Sequence, residues 1–204
     1  MAKQSLRDMK KEETWHVLAE TSFELAAGKG LDGFTIEDVV QRAHYSRRTF
    51  ANHFSCKEEA VAMAVLSIGG EQEDVLSKVE VDGDTKPVEA LRNWMRLQFT
   101  TDLLRKLRKL VGMSKEHPTL EPYVLIVLQR LQQAAQQELD RSYGGQYPTG
   151  YTHLLAGAVF GAVLPVIEGV LNVQIPGDPA GEDADGMTFD EYLEFTFDYL
   201  KNGF

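Results

Sequence analysis

The chain has 204 residues, a formal net charge of −10, 43% apolar and 25% charged residues, and one cysteine. Such a composition suits a soluble globular protein and excludes a disordered one, and a single cysteine excludes both an intramolecular disulfide and a cysteine-based metal site. The charge is unevenly divided: residues 1–57 hold nine Lys/Arg against eight Asp/Glu and residues 58–204 twelve against twenty-three, so the acidic total does not exclude a polyanionic partner for the N-terminal part.

The N-terminus, MAKQSLRDMKKEE, lacks the apolar run of a secretory signal, and with the lone Cys56 it predicts a cytoplasmic protein. From Glu12 to Gly28, Trp15, Leu18, Ala19, Ser22, Leu25 and Ala26 recur at three- and four-residue steps, which predicts one face of a helix stopped by Gly28 and Gly30. Thr35 and Asp38 form a T-x-x-D variant of the capping box, opening a helix that buries Ile36, Val39, Val40 and Ala43. Ser46 starts the next helix, leaving His44 and Tyr45 as the middle of a tight turn, and Phe50 and Phe54, four apart, point inward. Ser55 to Glu58 reads as another capping box, beginning a helix to Val79 with a weak point at Gly69-Gly70.

Residues 81–86, VDGDTK, make a polar turn, and Pro87 suits the first position of a new helix. Apolar positions then continue through Leu91, Trp94, Met95, Leu97 and Phe99 to Leu103, Leu104, Leu107, Leu110 and Val111. His117-Pro118 interrupts, a helix from Leu120 to Arg141 follows, and Gly144-Gly145 with Pro148 break the chain again. Thr149 to Val173 is the most apolar segment, with Glu168 the one charge between Leu154 and Leu171. It barely reaches membrane-spanning length, and Gly157, Gly161, Pro165, Glu168 and Gly169 lower its hydrophobicity, which favours a buried helix and no membrane. The acidic stretch 175–186 is a connector, and Thr188 to Glu191 caps a final helix carrying Tyr192, Leu193, Phe195, Phe197, Tyr199 and Leu200. With no useful strand alternation, the chain reads as all-α, about nine helices.

Thr35 to Lys57 has the layout of a helix-turn-helix, which presents the start of its second helix to base edges. Arg47, Arg48 and Thr49 stand there, with Asn52 and His53 one turn further on; arginine can take guanine bidentately and threonine can bond an edge or touch a thymine methyl. His53, Lys57 and the hydroxyls of Thr35 and Ser46, at two positive helix ends, suit phosphates. On spacing alone an ordinary helical hairpin with solvated arginines fits equally. The five histidines, at 16, 44, 53, 117 and 153, have no metal-ligand spacing, and there is no glycine-rich phosphate loop or nucleophile motif, so neither an enzyme nor a cofactor is predicted.

The run from Trp15 to Ala60 resembles the N-terminal DNA-binding domain of the tetracycline-repressor (TetR) family in Gly30, Thr35, Asp38, Ser46, Thr49, His53-Phe54 and Lys57-Glu58. That resemblance implies a three-helix helix-turn-helix domain over 1–57 and a larger helical ligand-binding and dimerisation domain over 58–204. It further implies a homodimeric repressor released from a two-fold symmetric operator by a small molecule, joined through the 149–173 and 188–201 helices. Gly157, Ala158, Gly161 and Ala162 would permit close helix approach there; alternatively these helices fill the monomer core. Trp94, Met95, Gln98, Phe99, Met113, His117, Tyr123 and Tyr151 are the pocket candidates, being apolar with a few polar anchors. Phe34, His44 and Ala51 depart from the family's usual threonine, turn glycine and DNA-contacting aromatic, and Arg48 stands where glycine is frequent. Ala51 and the net acidity speak for an alternative, a small-molecule- or partner-binding helical protein with weak or lost DNA binding.

Overall fold

A computed structural model describes residues 6–69, 85–175 and 186–203. Among them are nine α-helices: α1 (Leu6–Lys29), α2 (Ile36–Arg42), α3 (Arg47–Ala51), α4 (Lys57–Met63), α5 (Pro87–Gln98), α6 (Thr101–Glu116), α7 (Glu121–Tyr143), α8 (Thr149–Ile167) and α9 (Phe189–Asn202). Short 3-10 turns cover Leu31–Gly33, Ala64–Gly69 and Pro118–Leu120. The described residues form no strand, only an isolated bridge between Gln174 and Thr188. The chain divides into two compact units, Met1–Ile68 with Lys109–Val127, and Gly69–Arg108 with Leu128–Phe204.

In the first unit, α1 turns Leu18, Ala19, Ser22, Phe23, Leu25 and Ala26 inward. Ser22, a polar member of that stripe, is satisfied by donating to the Leu18 carbonyl at 2.7 Å. Val39 of α2, Phe50 and Phe54 around α3 and Ala60 to Met63 of α4 complete the core, each large side chain contributing about 1.5–3 kcal/mol relative to exposure. The α1 chain end is set by Gly30, whose φ of 76° favours glycine and whose N–H bonds the Ala26 carbonyl.

The start of α4 differs from expectation by one residue. Cys56, not Ser55, is the N-cap, its Sγ accepting the Glu59 N–H at 3.4 Å, and Glu59, not Glu58, accepts the Ser55 N–H and hydroxyl at 2.7 and 2.6 Å. Nor is the following stretch one α-helix: α4 tightens into a 3-10 turn from Ala64, where Ser67 Oγ lies 2.6 Å from both the Ala64 carbonyl and Glu20 Oε1. The expected helix beyond Gly69, residues 81–84 of the polar turn and 176–185 of the acidic connector lie outside the described residues.

In the second unit Pro87 opens α5 as its first residue. The apolar run after it is two helices rather than one: Phe99 leaves helical geometry (φ −81°, ψ 61°), and Thr100 Oγ1 accepts the Leu103 N–H at 3.3 Å to start α6. Phe99 closes the gap by packing on Phe160 and stacking on Phe189, at 5.8 and 6.3 Å between ring centroids. α9 carries the expected capping box, with Glu191 accepting the Thr188 N–H and hydroxyl, each at 2.8 Å. It buries Phe189, Leu193 and Phe197 and reaches α5 through Lys201–Glu89 at 2.8 Å.

α8 ends at Ile167, earlier than Val173. Its exit is a Schellman turn: the Gly169 N–H bonds the Val166 carbonyl, the Val170 N–H bonds the Pro165 carbonyl, and Gly169 sits at φ 74°. Arg108 donates to the carbonyls of Val166 and Val173 at 3.1 and 3.2 Å and so ties the end of α8 to the returning chain. Gly150–Ile167 is long and apolar enough to cross a membrane, yet only 39% of it is buried within the fold. The expectation of a buried helix therefore holds on one side only: Leu155, Ala156, Val159, Val163, Val166 and Ile167 are buried, while Tyr151, Leu154, Ala158 and Gly161 face outward.

Candidate nucleic-acid interface

The α2-turn-α3 segment is fixed by its caps. Thr35 Oγ1 accepts the Asp38 N–H at 3.3 Å while the Asp38 carboxylate accepts the Thr35 N–H at 2.7 Å and its hydroxyl at 2.8 Å. Those bonds, the backbone one first, hold the Asp38 carboxyl below its ordinary range. α2 leaves through a second Schellman turn, His44 N–H to Gln41 carbonyl and Tyr45 N–H to Val40 carbonyl, with His44 at φ 58° in the position that favours glycine. Ser46 then caps α3, its Oγ accepting the Thr49 N–H at 3.0 Å and lying 2.8 Å from Thr49 Oγ1.

Phe50 and Phe54 decide which way α3 faces. They are 1% and 3% exposed, 5.6 Å apart, and Trp15 of α1 packs on Phe54 at 5.7 Å. With that edge inside, Arg47 and Arg48 project into solvent and Thr49 is half-buried. Arg47 pairs with Glu37 at 2.8 Å, both side chains more than half exposed. A pair so placed is worth roughly 0–1 kcal/mol, so it can be exchanged for another acceptor at little cost.

The remaining candidates are placed as follows. α3 is only five residues long, so Asn52 is its C-cap and His53 belongs to the turn after it rather than to a further helical turn. Burial, and then the nearby Lys11 charge, push His53 below its ordinary range, so at neutral pH it offers a hydrogen bond and little charge. Lys57 is half-buried: its Nζ donates to the carbonyls of Leu31 and Phe34 at 2.7 and 3.1 Å and lies 5.1 Å above the Phe34 ring. A phosphate contact by Lys57 requires giving up those carbonyls. Phe34, 2% exposed, thus supports a cation where a threonine would have offered a hydroxyl.

A group that sequence reasoning missed lies at the start of α1. Arg7, Asp8, Lys10, Lys11 and Thr14 line one side of an open groove whose other side is Thr49, Asn52 and His53. The signal was present, since positions 7, 10, 11 and 14 share one face at helical spacing. What was missing was that α1 starts at Leu6, ahead of the apolar stripe that first marks it.

The pocket candidates divide between the units. Trp94, Met95, Gln98, Phe99 and Tyr151 belong to the second; Met95 and Phe99 are core, Tyr151 is 39% exposed, and Gln98 Nε2 is buried without a hydrogen-bond partner among the described residues. Met113, His117 and Tyr123 belong to the first. There His117 Nδ1 is 3.5 Å from Asp32, and the Tyr123 hydroxyl is 3.2 Å from Cys56 Sγ. Also in the second unit, Ala158 and Ala162 of α8 with Tyr192, Phe195, Thr196, Tyr199 and Leu200 of α9 line a groove. Of the two glycines in that part of α8, Gly157 has Gln132 close by, whereas among the described residues nothing lies within 4 Å of a side chain added at Gly161.

Residues 18–62 match the family model of the tetR family of bacterial regulatory proteins. No curated protein matches the chain. Its fold is similar to the crystal structure of a protein assigned to the TetR-family transcriptional regulators of Mesorhizobium loti MAFF303099, with 17% identity, a TM-score of 0.55, and coverage of 96% of this chain and 97% of that one. The capped helix-turn-helix lies inside the residues that match the tetR-family model, and the likeness of fold extends over the whole chain.

Proposed function

We propose that the protein is a sequence-specific DNA-binding transcriptional regulator, acting as a homodimeric repressor that a small molecule releases from its operator. The observation that carries this reading is α3 itself: a serine cap and two buried phenylalanines hold Arg47 and Arg48 outward at the leading end of a helix. In this reading Arg47, Arg48 and Thr49 meet base edges; Thr35, Ser46, Asn52 and His53 meet the backbone; and Lys57 holds the turn ahead of Thr35. Residues 1–57 act as the reading head and 58–204 as the effector and dimerisation part.

The outward face of α8 supports pairing with a second copy. Tyr151, Leu154, Ala158 and Gly161 of α8 and Phe195 and Tyr199 of α9 form an exposed apolar surface with small residues in the α8 stripe, the composition of a helix-to-helix interface. The effector pocket is proposed among Trp94, Met95, Gln98 and Phe99, where the unpartnered Gln98 amide offers a donor to a carbonyl or carboxylate. Release then requires that the effector bind the DNA-incompetent conformation more tightly than the competent one.

Selection of bound sequences from random duplex DNA by the purified protein tests this. Recovery of two related half-sites with two-fold symmetry is expected. The exposed Ala51, in place of a contacting aromatic, favours the second reading, a helical binding protein that has lost DNA recognition. A dimer that selects no sequence and shows no salt-dependent duplex binding would establish that reading instead.

A further inference from the structure

We propose that the groove between the start of α1 and the end of α3 is a second DNA-backbone site, in which Arg7, Lys10 and Lys11 hold duplex phosphates beside the groove that α3 reads. This rests on the DNA-binding reading above and adds to it a set of contacts outside the helix-turn-helix. Three cations and one carboxylate, Asp8, line the groove, and its far wall is Thr49, Asn52 and His53, the trailing end of the reading helix. Because the two walls share one opening, a strand meeting Asn52 and His53 meets the α1 cations as well.

Charge gives the site a role as well as a place. On the helix-turn-helix Arg48 is exposed and Arg47 and Arg42 sit in exchangeable surface pairs with Glu37 and Glu24, but Lys57 is occupied by two carbonyls, so few cations there face the backbone. Duplex DNA is bound chiefly by cations that displace its counterions, and hydroxyls and a largely neutral histidine do not supply that. Arg7, Lys10 and Lys11 are exposed, on the outer side of a helix whose buried stripe begins only at Leu18, so they are free of any part in the core. Thr14, next on the same face, turns its hydroxyl back to the Lys10 carbonyl at 2.8 Å and leaves the phosphate contacts to the cations.

The test compares the salt dependence of duplex binding, by fluorescence anisotropy, for the wild type, the Lys10→Ala/Lys11→Ala variant and a Lys86→Ala/Lys109→Ala control of equal net charge. The probes are a mixed-sequence duplex of about 30 base pairs, three helical turns, the selected operator, and heparin. The α1 variant should bind both duplexes more weakly by a similar factor, keep its base preference, and lose about one to two from the slope of log affinity against log salt. The control should match the wild type. A slope equal to that of the wild type or of the control overturns the proposal, as does an equal loss on heparin, which would mark a general anion site. A wild type that binds no duplex at all sinks the DNA-binding reading itself, whereas a binding wild type with an indifferent α1 variant sinks only the groove.

Discussion

α3 and the α8–α9 surface are built on opposite patterns. Around α3 the apolar residues, Phe50 and Phe54, are inside and the outward positions are Arg47 and Arg48. On α8 the inside is apolar and so is the outside, Leu154 being 71% exposed and Phe195 of α9 50%. A helix that is polar outward is finished by solvent, and one that is apolar on every side needs a further surface to cover it. The first should therefore fail by losing specific contacts, the second by losing assembly.

The assembly side carries the largest expected effect. Phe195→Asp places a charge in the centre of the exposed aromatic surface, next to Tyr199 at 4.7 Å between rings. At a buried interface such a change costs about 2–4 kcal/mol, so sedimentation velocity at micromolar protein should show a dimer for the wild type, as proposed, and monomer for the variant. Circular dichroism should be unchanged, because Phe195 is half exposed and outside the core. A dimer that survives Phe195→Asp would leave the α8–α9 surface apolar without a partner copy.

On the reading side the expected loss is smaller and different in kind. Arg47→Ala should weaken operator binding by about 1–3 kcal/mol and relax preference at one base pair in each half-site. Oligomeric state should not change. A gel-shift series in which affinity and preference both stay at wild-type values would remove Arg47 from the reading head, and with it the contrast between the two surfaces.

Much of this contrast is legible in the chain. Caps are local, and so Thr35 with Asp38, Ser46, and Thr188 with Glu191 stand where their spacing puts them. The inward turn of Phe50 and Phe54 follows from a four-residue step alone. Less was legible where two local solutions compete or a partner comes from afar. Ser55-x-x-Glu58 and Cys56 with Glu59 offer α4 alternative starts one residue apart, and the fold takes the weaker sulfur acceptor. The Phe99–Thr100 break hides in an unbroken apolar run because α5 and α6 both bury leucines across it. Exposure of the α8 outer face could not be read from a helix whose periodicity is absent, and the occupation of Lys57 depends on carbonyls 23 and 26 residues away.

That occupation leads to a prediction on stability rather than recognition. Hydrogen bonds from a charged donor contribute about 1.5–3 kcal/mol when buried, and less for a half-exposed group. Lys57→Met, which keeps most of the apolar stem over Phe34, should lower stability by about 1 kcal/mol in urea titration. It should change the salt slope of duplex binding by less than the loss of one phosphate contact. A full unit of slope lost with no change in stability would mean that Lys57 leaves the carbonyls for DNA.

The smallest effect is expected where the two regions use the same device. Both α2 and α8 end in a Schellman turn with the same two hydrogen bonds, one through His44 at φ 58° and the other through Gly169 at φ 74°. A non-glycine residue in that conformation costs about 1 kcal/mol, so Gly169→Ala should destabilise by about that much, with open space around the site leaving no clash to add. His44→Gly relieves the same strain but loosens the unfolded chain, an opposing term of about 0.5–1 kcal/mol. The net change should fall within about 0.5 kcal/mol of zero by thermal melt. The asymmetry is the useful part, since equal and opposite shifts from the two substitutions would mean that backbone strain alone separates the turns. A loss of operator affinity in His44→Gly without a change in stability would instead give the histidine side chain a place on the DNA.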